Sequence, residues 1–409
     1  MREQLVKYKA ELEAELEVIL AYWIQHTPDD KGGFIGRIAE GELKYPDAPK
    51  GSVLNSRILW SFSSGYNLTR IKIYREMAQR AFDYLHKYFI DKTYGGVYWT
   101  VSANGEPLDT KKQVYALAFA IYGLSEYYIA SGDEEARKAA ISLYKDIVTH
   151  SYDTRYGGYL EALSQDWKEM NDIRLSEKDA NERKSMNTHL HVLEGFANLY
   201  QIWPDEGLKV KLTELVQIFR NHIVSKNSYD LILFFEDDWT PKSSVISYGH
   251  NVEAAWLLQE ATQTLGDEVL LKQVKNWSLD LAMESEKGVD KDGGTWYEYE
   301  TESKHLIKQK HWWVQAEAMV GFFNAWQNTG DTKWLQHSLN SWAFIKLYIK
   351  DKNSGEWFWG VNEDYSTMSG EDKVGIWKCP YHNSRACIEI IHRINRILSG
   401  GRLAISNGQ

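Results

Sequence analysis

The chain of 409 residues has little cysteine and little proline, and both shortages narrow the classes of protein it can belong to. Its two cysteines, Cys379 and Cys387, cannot supply a disulfide framework, and they fit a reducing compartment. Seven prolines favour an architecture dominated by helices, because proline inside a helix removes a hydrogen bond and clashes with the preceding turn. We therefore expect a helical, cytoplasmic protein.

Long apolar runs and clusters of basic residues are also missing. No stretch approaches the roughly eighteen consecutive apolar residues of a membrane span, and the start, Met1–Lys7, lacks the apolar core of a signal peptide. The net charge of −10 is spread along the chain without a basic stripe. These absences predict that neither a membrane nor a nucleic acid is a partner.

Aromatic residues, by contrast, are abundant, with 17 Trp and 25 Tyr. Much of this aromatic mass is expected in a core between helices, but many of the rings stand at turns and helix starts. A flat ring that also carries an N–H or O–H suits a sugar, which is apolar on its face and polar at its edge. The composition therefore suggests a carbohydrate ligand.

A short turn recurs six times at a spacing of about sixty residues. Five copies contain glycine followed by aromatic or β-branched residues, with first glycines at positions 32, 95, 157, 293 and 355. We assign a degenerate fourth copy to Phe234–Glu236. Two amphipathic segments separate successive turns, and no linker rich in proline and serine interrupts the series. The repeat predicts one all-α toroidal domain over residues 1–409, built from six helical hairpins with short β-type turns.

Two classes of helix alternate within the repeat. The inner class is richer in small and aromatic residues and is placed at about 53–68, 113–131, 185–202, 247–264, 310–328 and 380–398. The outer class carries more Lys and Glu and is placed at about 6–26, 71–89, 134–150, 208–224, 268–286 and 331–350. This difference in polarity predicts an inner and an outer ring. Because the inner helices alternate with outer ones, their N-termini should open at one mouth.

Polar and aromatic residues recur near the starts of the inner helices. The set comprises Arg57, Tyr115, Asn187, His191, His250, Glu253, Trp313, Glu317, Trp377 and His382. A single inner-helix histidine is more often a hydrogen-bonded packing residue than a catalyst, and His189, which faces away from His191, is assigned that structural role. Recurrence at equivalent positions around one rim favours a functional site for the whole set.

Other chemistries leave no matching pattern. No His-Glu-x-x-His or Cys-x-x-Cys spacing for zinc, no glycine-rich phosphate loop and no Gly-x-Ser-x-Gly elbow occurs. A glycoside hydrolase would need two opposed carboxylates, for which Glu253, Glu298 and Glu317 are candidates. What remains is a pocket of histidines and an arginine, without a metal, which is suited to moving protons.

Four segments of this rim resemble the N-acylglucosamine 2-epimerase superfamily, and the likeness extends through nearly the whole chain. They are Asn55–Trp60, Ser247–Glu253, Trp312–Ala318 and Trp377–Asn383. The resemblance implies an (α/α)6 barrel that acts without a cofactor on a small-molecule disaccharide. The implied reaction inverts C2 of the reducing-end glucose of a β-1,4-linked disaccharide, converting cellobiose to glucosyl-mannose or lactose to epilactose.

The resemblance also implies roles for single residues. Its catalytic arginine falls on Arg57, and its three catalytic histidines fall on His191, His250 and His382. The implied sugar-contacting residues are Tyr115, Asn187, Trp313, Trp377, Asp179 and Glu298. We expect Glu253 to lie with the sugar-contacting residues or to orient His250, and we expect a monomer or a weak homo-oligomer.

Elementary chemistry agrees with these roles. Histidine suits proton transfer because its reference pKa of about 6.5 lies near working pH. Loss of the proton next to an aldehyde leaves an enediolate, whose charge the permanent cation of Arg57 would hold. We predict that His250 and His382 act as the acid/base pair at C2, in an order left open, while His191 assists ring opening and closure.

Three other functions use parts of the same pattern. An aldose–ketose isomerase acting on mannose or a related monosaccharide would pass through the same enediolate and return the proton to C1. A non-catalytic sugar-binding protein would use the aromatic residues alone, and a glycoside hydrolase would use two carboxylates.

Overall fold

The computed structural model describes residues 1–400, and in this part of the chain helices form two concentric rings. The twelve α-helices are α1 (Arg2–His26), α2 (Ser52–Thr69), α3 (Lys72–Tyr84), α4 (Val114–Ser131), α5 (Glu134–His150), α6 (Met186–Ile202), α7 (Glu206–Ile218), α8 (Tyr248–Leu265), α9 (Glu268–Glu286), α10 (Trp312–Thr329), α11 (Thr332–Phe344) and α12 (Tyr381–Leu398). Helices α3, α7 and α11 each continue into one π-helical turn, at Leu85–Phe89, Phe219–Ile223 and Ile345–Ile349, and a 3₁₀ turn spans Glu40–Glu42.

The even-numbered helices form the inner ring. Each packs against the next, and α12 packs against α2, so the ring is closed. Every residue from Ser52 to Gly65 of α2 is buried, whereas α3, in the outer ring, buries only one face. The predicted toroid of six helical hairpins is confirmed, and the predicted inner helices match the observed ones to within two residues at each end. The predicted domain also includes residues 401–409, which lie outside the described residues.

The turn between an inner helix and the outer helix that follows it is short. Its residues are suited to ending the first helix and starting the second. Helices α4, α8 and α10 end at Gly132, Gly266 and Gly330, all with the positive φ that glycine adopts at low cost. Four of the outer helices begin with an aspartate whose carboxylate accepts a hydrogen bond from a first-turn backbone N–H. These N-terminal caps are Asp133, Asp205, Asp267 and Asp331.

The opposite end of the ring, where the inner helices begin, carries short antiparallel strands. They are β1 (Lys50–Gly51), β2 (Thr100–Val101), β3 (Pro107–Asp109), β4 (Lys112–Gln113), β5 (Ala162–Leu163), β6 (Lys184–Ser185), β7 (Phe234–Phe235), β8 (Val245–Ser247), β9 (Glu298–Glu300), β10 (His305–Ile307), β11 (Lys310–His311) and β12 (Gly360–Val361). The sheet orders are β1-β2-β3 and β8-β9-β10, with the two-stranded pairs β4-β5, β6-β7 and β11-β12. Each strand that leads into helix α2, α4, α6, α8 or α10 pairs with a strand of the following repeat, so neighbouring hairpins are joined at the mouth.

The fourth copy of the repeated turn is not at Phe234–Glu236, and that assignment is wrong. In the second repeat Gly95 N–H donates to Asp91, and Asp91 N–H donates to Gly96. The same pattern in the fourth repeat uses Tyr229 and Asp230, while Phe234–Phe235 forms the next strand. Tyr229 takes the left-handed conformation, with φ of 63°, that glycine takes in the other copies. A search for glycine therefore missed this turn.

Four of these turns are held by an ion pair between an aspartate and a buried lysine that lies two residues before the next inner helix. The pairs are Asp29–Lys50, Asp91–Lys112, Asp153–Lys184 and Asp290–Lys310, with N···O distances of 2.6, 2.8, 2.7 and 2.7 Å. In the fourth repeat both members are absent together, because Ser225 and Ile246 occupy the two positions. Ser225 Oγ still accepts hydrogen bonds from the backbone N–H groups of the turn. A buried charge is therefore present in these repeats only where its partner is present.

The joint presence of the aspartate and the lysine predicts how the stability of the protein responds to substitution in these turns. Both side chains of the Asp91–Lys112 pair are 0% exposed, so Lys112→Ile leaves a buried carboxylate without its cation and should cost about 3–5 kcal/mol. Adding Asp91→Ser reproduces the fourth repeat and should recover at least about half of that loss. Thermal unfolding of the two variants measures the difference. A double variant no more stable than Lys112→Ile would contradict this account of the turn.

Within residues 1–400, no helix has both the length and the apolar character needed to cross a membrane.

Candidate active site

Arg57 lies in the second turn of α2 and is buried at the mouth end of the inner ring. Its Nη2 donates a hydrogen bond of 2.7 Å to the Tyr115 hydroxyl, and its Nη1 lies 3.8 Å from the Cys379 sulfur. The guanidinium carbon is 4.1 Å from the ring centre of Phe119 and 4.8 Å from that of Tyr381. No carboxylate pairs with Arg57 within the described residues, so its charge remains available to an anionic ligand.

His191 lies in the second turn of α6, on the same side of the mouth as Arg57. Its ring centre is 4.9 Å from that of Tyr115, which connects it to the arginine. Nδ1 is 2.9 Å from Oε2 of Glu194, which lies one turn further along the helix. Burial lowers the pKa of His191, although the hydrogen bond with Glu194 acts in the opposite direction. The ring is therefore neutral near pH 7.

His250 lies in the first turn of α8, and its Nδ1 is 2.8 Å from the hydroxyl of Ser247. Its ring centre is 4.8 Å from that of Trp313. Gly249 makes this approach feasible, because a Cβ at that position would lie 2.6 Å from the Trp313 ring. Burial lowers the pKa of His250 to about 3, and a positive charge on nearby His191, when that ring is protonated, would lower it further.

His382 opens α12, and its Nδ1 is 2.7 Å from Oε1 of Glu317. Its ring centre is 5.8 Å from that of Trp313, so Trp313 contacts two of the three histidines. Burial lowers the pKa of His382 to about 3, against the opposing effect of Glu317. The positive charges of Arg57 and Arg385 add to the lowering.

The four predicted catalytic side chains therefore come together at one mouth. Tyr115 links Arg57 to His191, and Trp313 links His250 to His382. Among residues 1–400, Nε2 of each histidine makes no hydrogen bond with the protein, while Nδ1 of each is held by a neighbour. Three imidazole nitrogens and a guanidinium are thus available to one ligand.

Trp377 and Asn187 also lie where contact with a bound sugar is feasible. The Trp377 ring centre is 6.0 Å from that of Tyr115 and 5.9 Å from that of Trp99. Asn187 is one turn before His191 on α6, and its buried Oδ1 has no hydrogen-bond partner within the described part of the chain. An unpartnered buried oxygen can accept a hydrogen bond from a ligand hydroxyl.

Asp179 and Glu298 lie further out, on segments around the mouth. Asp179 is in the connection between β5 and β6, where its carboxylate accepts hydrogen bonds of 2.8 and 2.7 Å from Ser176. Glu298 begins the hairpin formed by β9 and β10. Burial raises the pKa of Glu298 to about 7, and the negative charge of Asp179 contributes to the rise. The two carboxyl groups are therefore close enough to interact electrostatically, and neither makes a hydrogen bond with the three histidines.

Glu253 occupies a different place from the one expected. It does not orient His250, because Ser247 holds Nδ1 of that ring. Its own carboxyl is 1% exposed and accepts a hydrogen bond of 2.6 Å from Arg385. Burial and the charge of Glu317 raise the pKa of Glu253 to about 8. This residue therefore contacts Arg385 instead of His250.

One group of side chains near the histidines has the spacing of a metal site. Ligand atoms of Glu253, Glu317 and His382 lie within 4.8 Å of one another. Arg385 Nη2, however, donates hydrogen bonds of 2.6 Å to both carboxylates. The guanidinium therefore supplies the positive charge that a cation would bring to this position, and the donor set does not fit a metal.

His189 has the structural role expected from its direction. Its Nδ1 donates to the Ser185 carbonyl at 2.7 Å, and its Nε2 accepts from the Tyr159 backbone N–H at 2.9 Å. Both ring nitrogens are satisfied and the ring is 0% exposed, so this prediction is confirmed.

Three residues of the site were missed in the sequence: Glu194, Ser247 and Arg385. Two of them could have been found, since Glu194 and Ser247 each lie three residues from a histidine that they contact, a spacing that places side chains on one helix face. Arg385 gives no such local signal, because its partners belong to other helices.

The fold and the site first define a class, namely an (α/α)6 barrel whose mouth is lined by histidines and an arginine. The chain belongs to the N-acylglucosamine 2-epimerase (GlcNAc 2-epimerase) family, whose family model matches residues 33–386. Membership of this family places the protein among the isomerases, as the resemblance implied.

Individual relatives extend this result over the whole barrel. The cellobiose 2-epimerase of Bacteroides fragilis is 48% identical over 385 residues, which cover 94% of this chain and 98% of that one. The structure of the cellobiose 2-epimerase from Bacillus thermoamylovorans B4167 has a TM-score of 0.90 at 38% identity, covering 95% and 99% of the two chains. The D-mannose isomerase of Marinomonas mediterranea is 24% identical over 404 residues, covering 94% and 97%. The likeness to cellobiose 2-epimerases is thus the stronger one.

Burial of the three rings predicts how they titrate. We expect the Cε1–H resonances of His250 and His382 to stay unchanged between pH 8 and 6, and that of His191 to titrate with a midpoint below 6.5, since each pKa is lowered. An added histidine peptide, titrating near its ordinary value of about 6.5, serves as the internal reference in the NMR experiment. A midpoint at or above 6.5 for any of the three rings would contradict the structure. The three histidines bind protons below about pH 6.5 in the unfolded chain but not yet in the folded protein. The free energy of unfolding should therefore fall as the pH drops below about 6.5.

Proposed function

We propose that the protein epimerises C2 of the reducing-end glucose of β-1,4-linked disaccharides. In this reaction cellobiose becomes glucosyl-mannose and lactose becomes epilactose. The identity to cellobiose 2-epimerases supports the substrate class. The observation that carries the reaction itself is the convergence of three neutral imidazoles and the unpaired charge of Arg57 at one mouth.

The reaction makes three chemical demands on the site. The pyranose ring must open, the C2 proton next to the aldehyde must leave, and a proton must return to the other face of C2. The sum of these steps is redox-neutral, so proton carriers are enough. Proton loss leaves negative charge on the C1 oxygen, next to the C2 hydroxyl, and Arg57 supplies a fixed cation for this charge. Such donors typically contribute about a hundred- to a thousand-fold in rate.

The partners of the two histidines next to Trp313 suggest the order of proton transfer. His250 is held by a hydroxyl, which leaves the ring neutral and ready to take the C2 proton of the glucose epimer. His382 is neutral in the resting site, so it must first take up a proton from solvent at Nε2; the Glu317 carboxylate stabilises the imidazolium that forms, which makes His382 the better group to deliver that proton to C2. In the reverse direction the two rings exchange roles.

His191 stands apart from this pair, beside Tyr115 and Arg57. Glu194 holds its Nδ1, so its Nε2 can accept a proton from a sugar hydroxyl. We assign His191 to opening and closing of the ring. No acid/base step is required of Glu253.

The sugar is held by groups around this centre. Trp313, Trp377 and Asn187 frame the reducing-end residue, where the reaction occurs. Asp179 and Glu298, which lie further out, are placed to accept hydrogen bonds from the second sugar. We therefore expect the site to prefer a disaccharide over free mannose.

Incubation with cellobiose in deuterated water tests the reaction directly. We expect glucosyl-mannose with deuterium at C2, because the proton that returns exchanges with solvent. NMR of the product reports the substrate, the bond and the stereochemistry together. A ketose product from mannose with unchanged cellobiose would indicate an aldose–ketose isomerase instead. Free glucose would indicate a hydrolase, and cellobiose recovered without deuterium would indicate sugar binding alone.

Single substitutions test the order of proton transfer. His250→Asn and His382→Asn should each slow epimerisation by about 10²- to 10⁴-fold, the usual contribution of a general acid or base. His382→Asn should still exchange the C2 hydrogen of cellobiose with solvent, because His250 removes and returns it on one face. His250→Asn should instead retain exchange only in glucosyl-mannose.

Mass spectrometry of recovered sugar in deuterated water measures this exchange, with wild-type protein exchanging both epimers as the control. Exchange of cellobiose by His250→Asn but not by His382→Asn would reverse the assignment. Epimerisation at near-full rate in either variant would exclude that histidine from the chemistry.

A further inference from the structure

Arg385 lies at the centre of the inner ring, one turn along α12 from His382, and is 1% exposed. Its guanidinium contacts carboxylates from three other inner helices. Nη1 donates to Glu194 Oε1 of α6, and Nη2 donates at 2.6 Å to Glu253 Oε1 of α8 and at 2.6 Å to Glu317 Oε1 of α10. One side chain therefore ties together four of the six inner helices.

Two of these carboxylates are the ones that hold the histidines. Glu194 binds Arg385 through Oε1 and His191 through Oε2. Glu317 uses one oxygen, Oε1, for both Arg385 and His382. A continuous chain of hydrogen bonds therefore runs from one imidazole to the other with the guanidinium at its middle.

The charges of this group do not balance unless one carboxyl is neutral. Three buried carboxyls share one guanidinium, and the three cannot all ionise away from water. Burial raises the pKa of Glu194 and Glu317, but the charge of Arg385 and the hydrogen bonds with the histidines together outweigh burial and lower both, that of Glu317 to about 2. The pKa of Glu253 shifts in the opposite direction and is raised to about 8. The charge of Arg385 is therefore the largest single contribution that keeps Glu194 and Glu317 ionised.

The protonation state of the carboxyl group determines the tautomer of the histidine that it contacts. A carboxylate only accepts hydrogen bonds, so the imidazole must place its proton on Nδ1, which leaves Nε2 free as a base. A protonated carboxyl can donate instead, and the imidazole proton then moves to Nε2, where it blocks proton abstraction. We infer that Arg385 is a positioning residue that keeps Glu194 and Glu317 as carboxylates and so fixes His191 and His382 as Nδ1–H tautomers. This inference rests on the proposed function only for its effect on turnover.

Arg385→Met tests the inference, because methionine keeps much of the packing beside Trp256 and Tyr381 and removes the charge. The guanidinium carbon lies 4.8 and 4.2 Å from those two ring centres. We expect kcat on cellobiose to fall roughly a hundred- to ten-thousand-fold, as in other sites where a histidine takes the wrong tautomer, with KM changed by less than about five-fold. Arg385→Lys should fall between the two, since one ammonium cannot match the forked geometry.

The tautomers themselves are the decisive readout. In protein labelled with ¹⁵N-histidine, wild type should show Nδ1–H for His191 and His382, and Arg385→Met should move both toward Nε2–H. His250, whose partner is Ser247, should keep its tautomer and is the internal control. Arg393→Met is the matched control variant, because Arg393 is also on α12 but binds Asn324 and Gln327 away from the histidines.

The two readouts separate this inference from the proposed function. The NMR measurement needs no substrate, so it stands even if wild-type protein leaves cellobiose unchanged. Unchanged tautomers in Arg385→Met overturn the inference, whatever happens to the rate. If Arg385→Met does not fold, Arg385→Lys gives the same readout, and wild-type tautomers together with a wild-type rate in that folded variant would also overturn it.

Discussion

The exclusion of water from ionisable groups is the constraint on which the rest of this structure depends. Arg57, His191, His382 and the glutamates that hold these two rings are buried where the inner helices begin, and His250 is half-buried beside them. In water these groups would titrate near their ordinary values and move freely. Out of contact with water, the imidazoles lose their charge and become bases, while Arg57, which pairs with no carboxylate in residues 1–400, keeps its charge for the ligand.

The closed ring allows these groups to be buried, because each inner helix packs against two neighbouring inner helices and against at least one outer helix. Hairpins from successive repeats are joined at the mouth by short strands, and buried lysine–aspartate pairs fix four of the turns there. The helix starts are therefore held in place by contacts that do not involve the catalytic side chains. This separation leaves the rim positions free to carry chemistry.

Much of this arrangement could be predicted from the sequence because it repeats. A period of about sixty residues and the contrast between two helix classes define the rings, and residues at equivalent positions of the inner helices share one mouth. Arg57, His191, His250 and His382 were found in this way. The fourth turn was misplaced because Tyr229 adopts a conformation that the other copies leave to glycine.

What the sequence could not show are contacts between residues remote in the chain. Arg385 meets carboxylates 68, 132 and 191 residues away, and nothing near it in sequence indicates a role. For the same reason Glu253 was assigned to the sugar or to His250, whereas the fold turns it toward Arg385. Periodicity places a residue on a face of a helix, but the partner across the barrel depends on how all six hairpins close.

The central claim is that the imidazoles of His250 and His382 lie on opposite faces of C2 of the sugar, while the Arg57 guanidinium binds the adjacent oxygens. A crystal structure with the open-chain sugar alcohol of cellobiose tests it most directly. The account predicts C2 within about 3.5 Å of Nε2 of both His250 and His382, on opposite faces, with the oxygens on C1 and C2 bound by Arg57. A ligand whose C2 meets only one of the two rings, or whose oxygens lie away from Arg57, would contradict it.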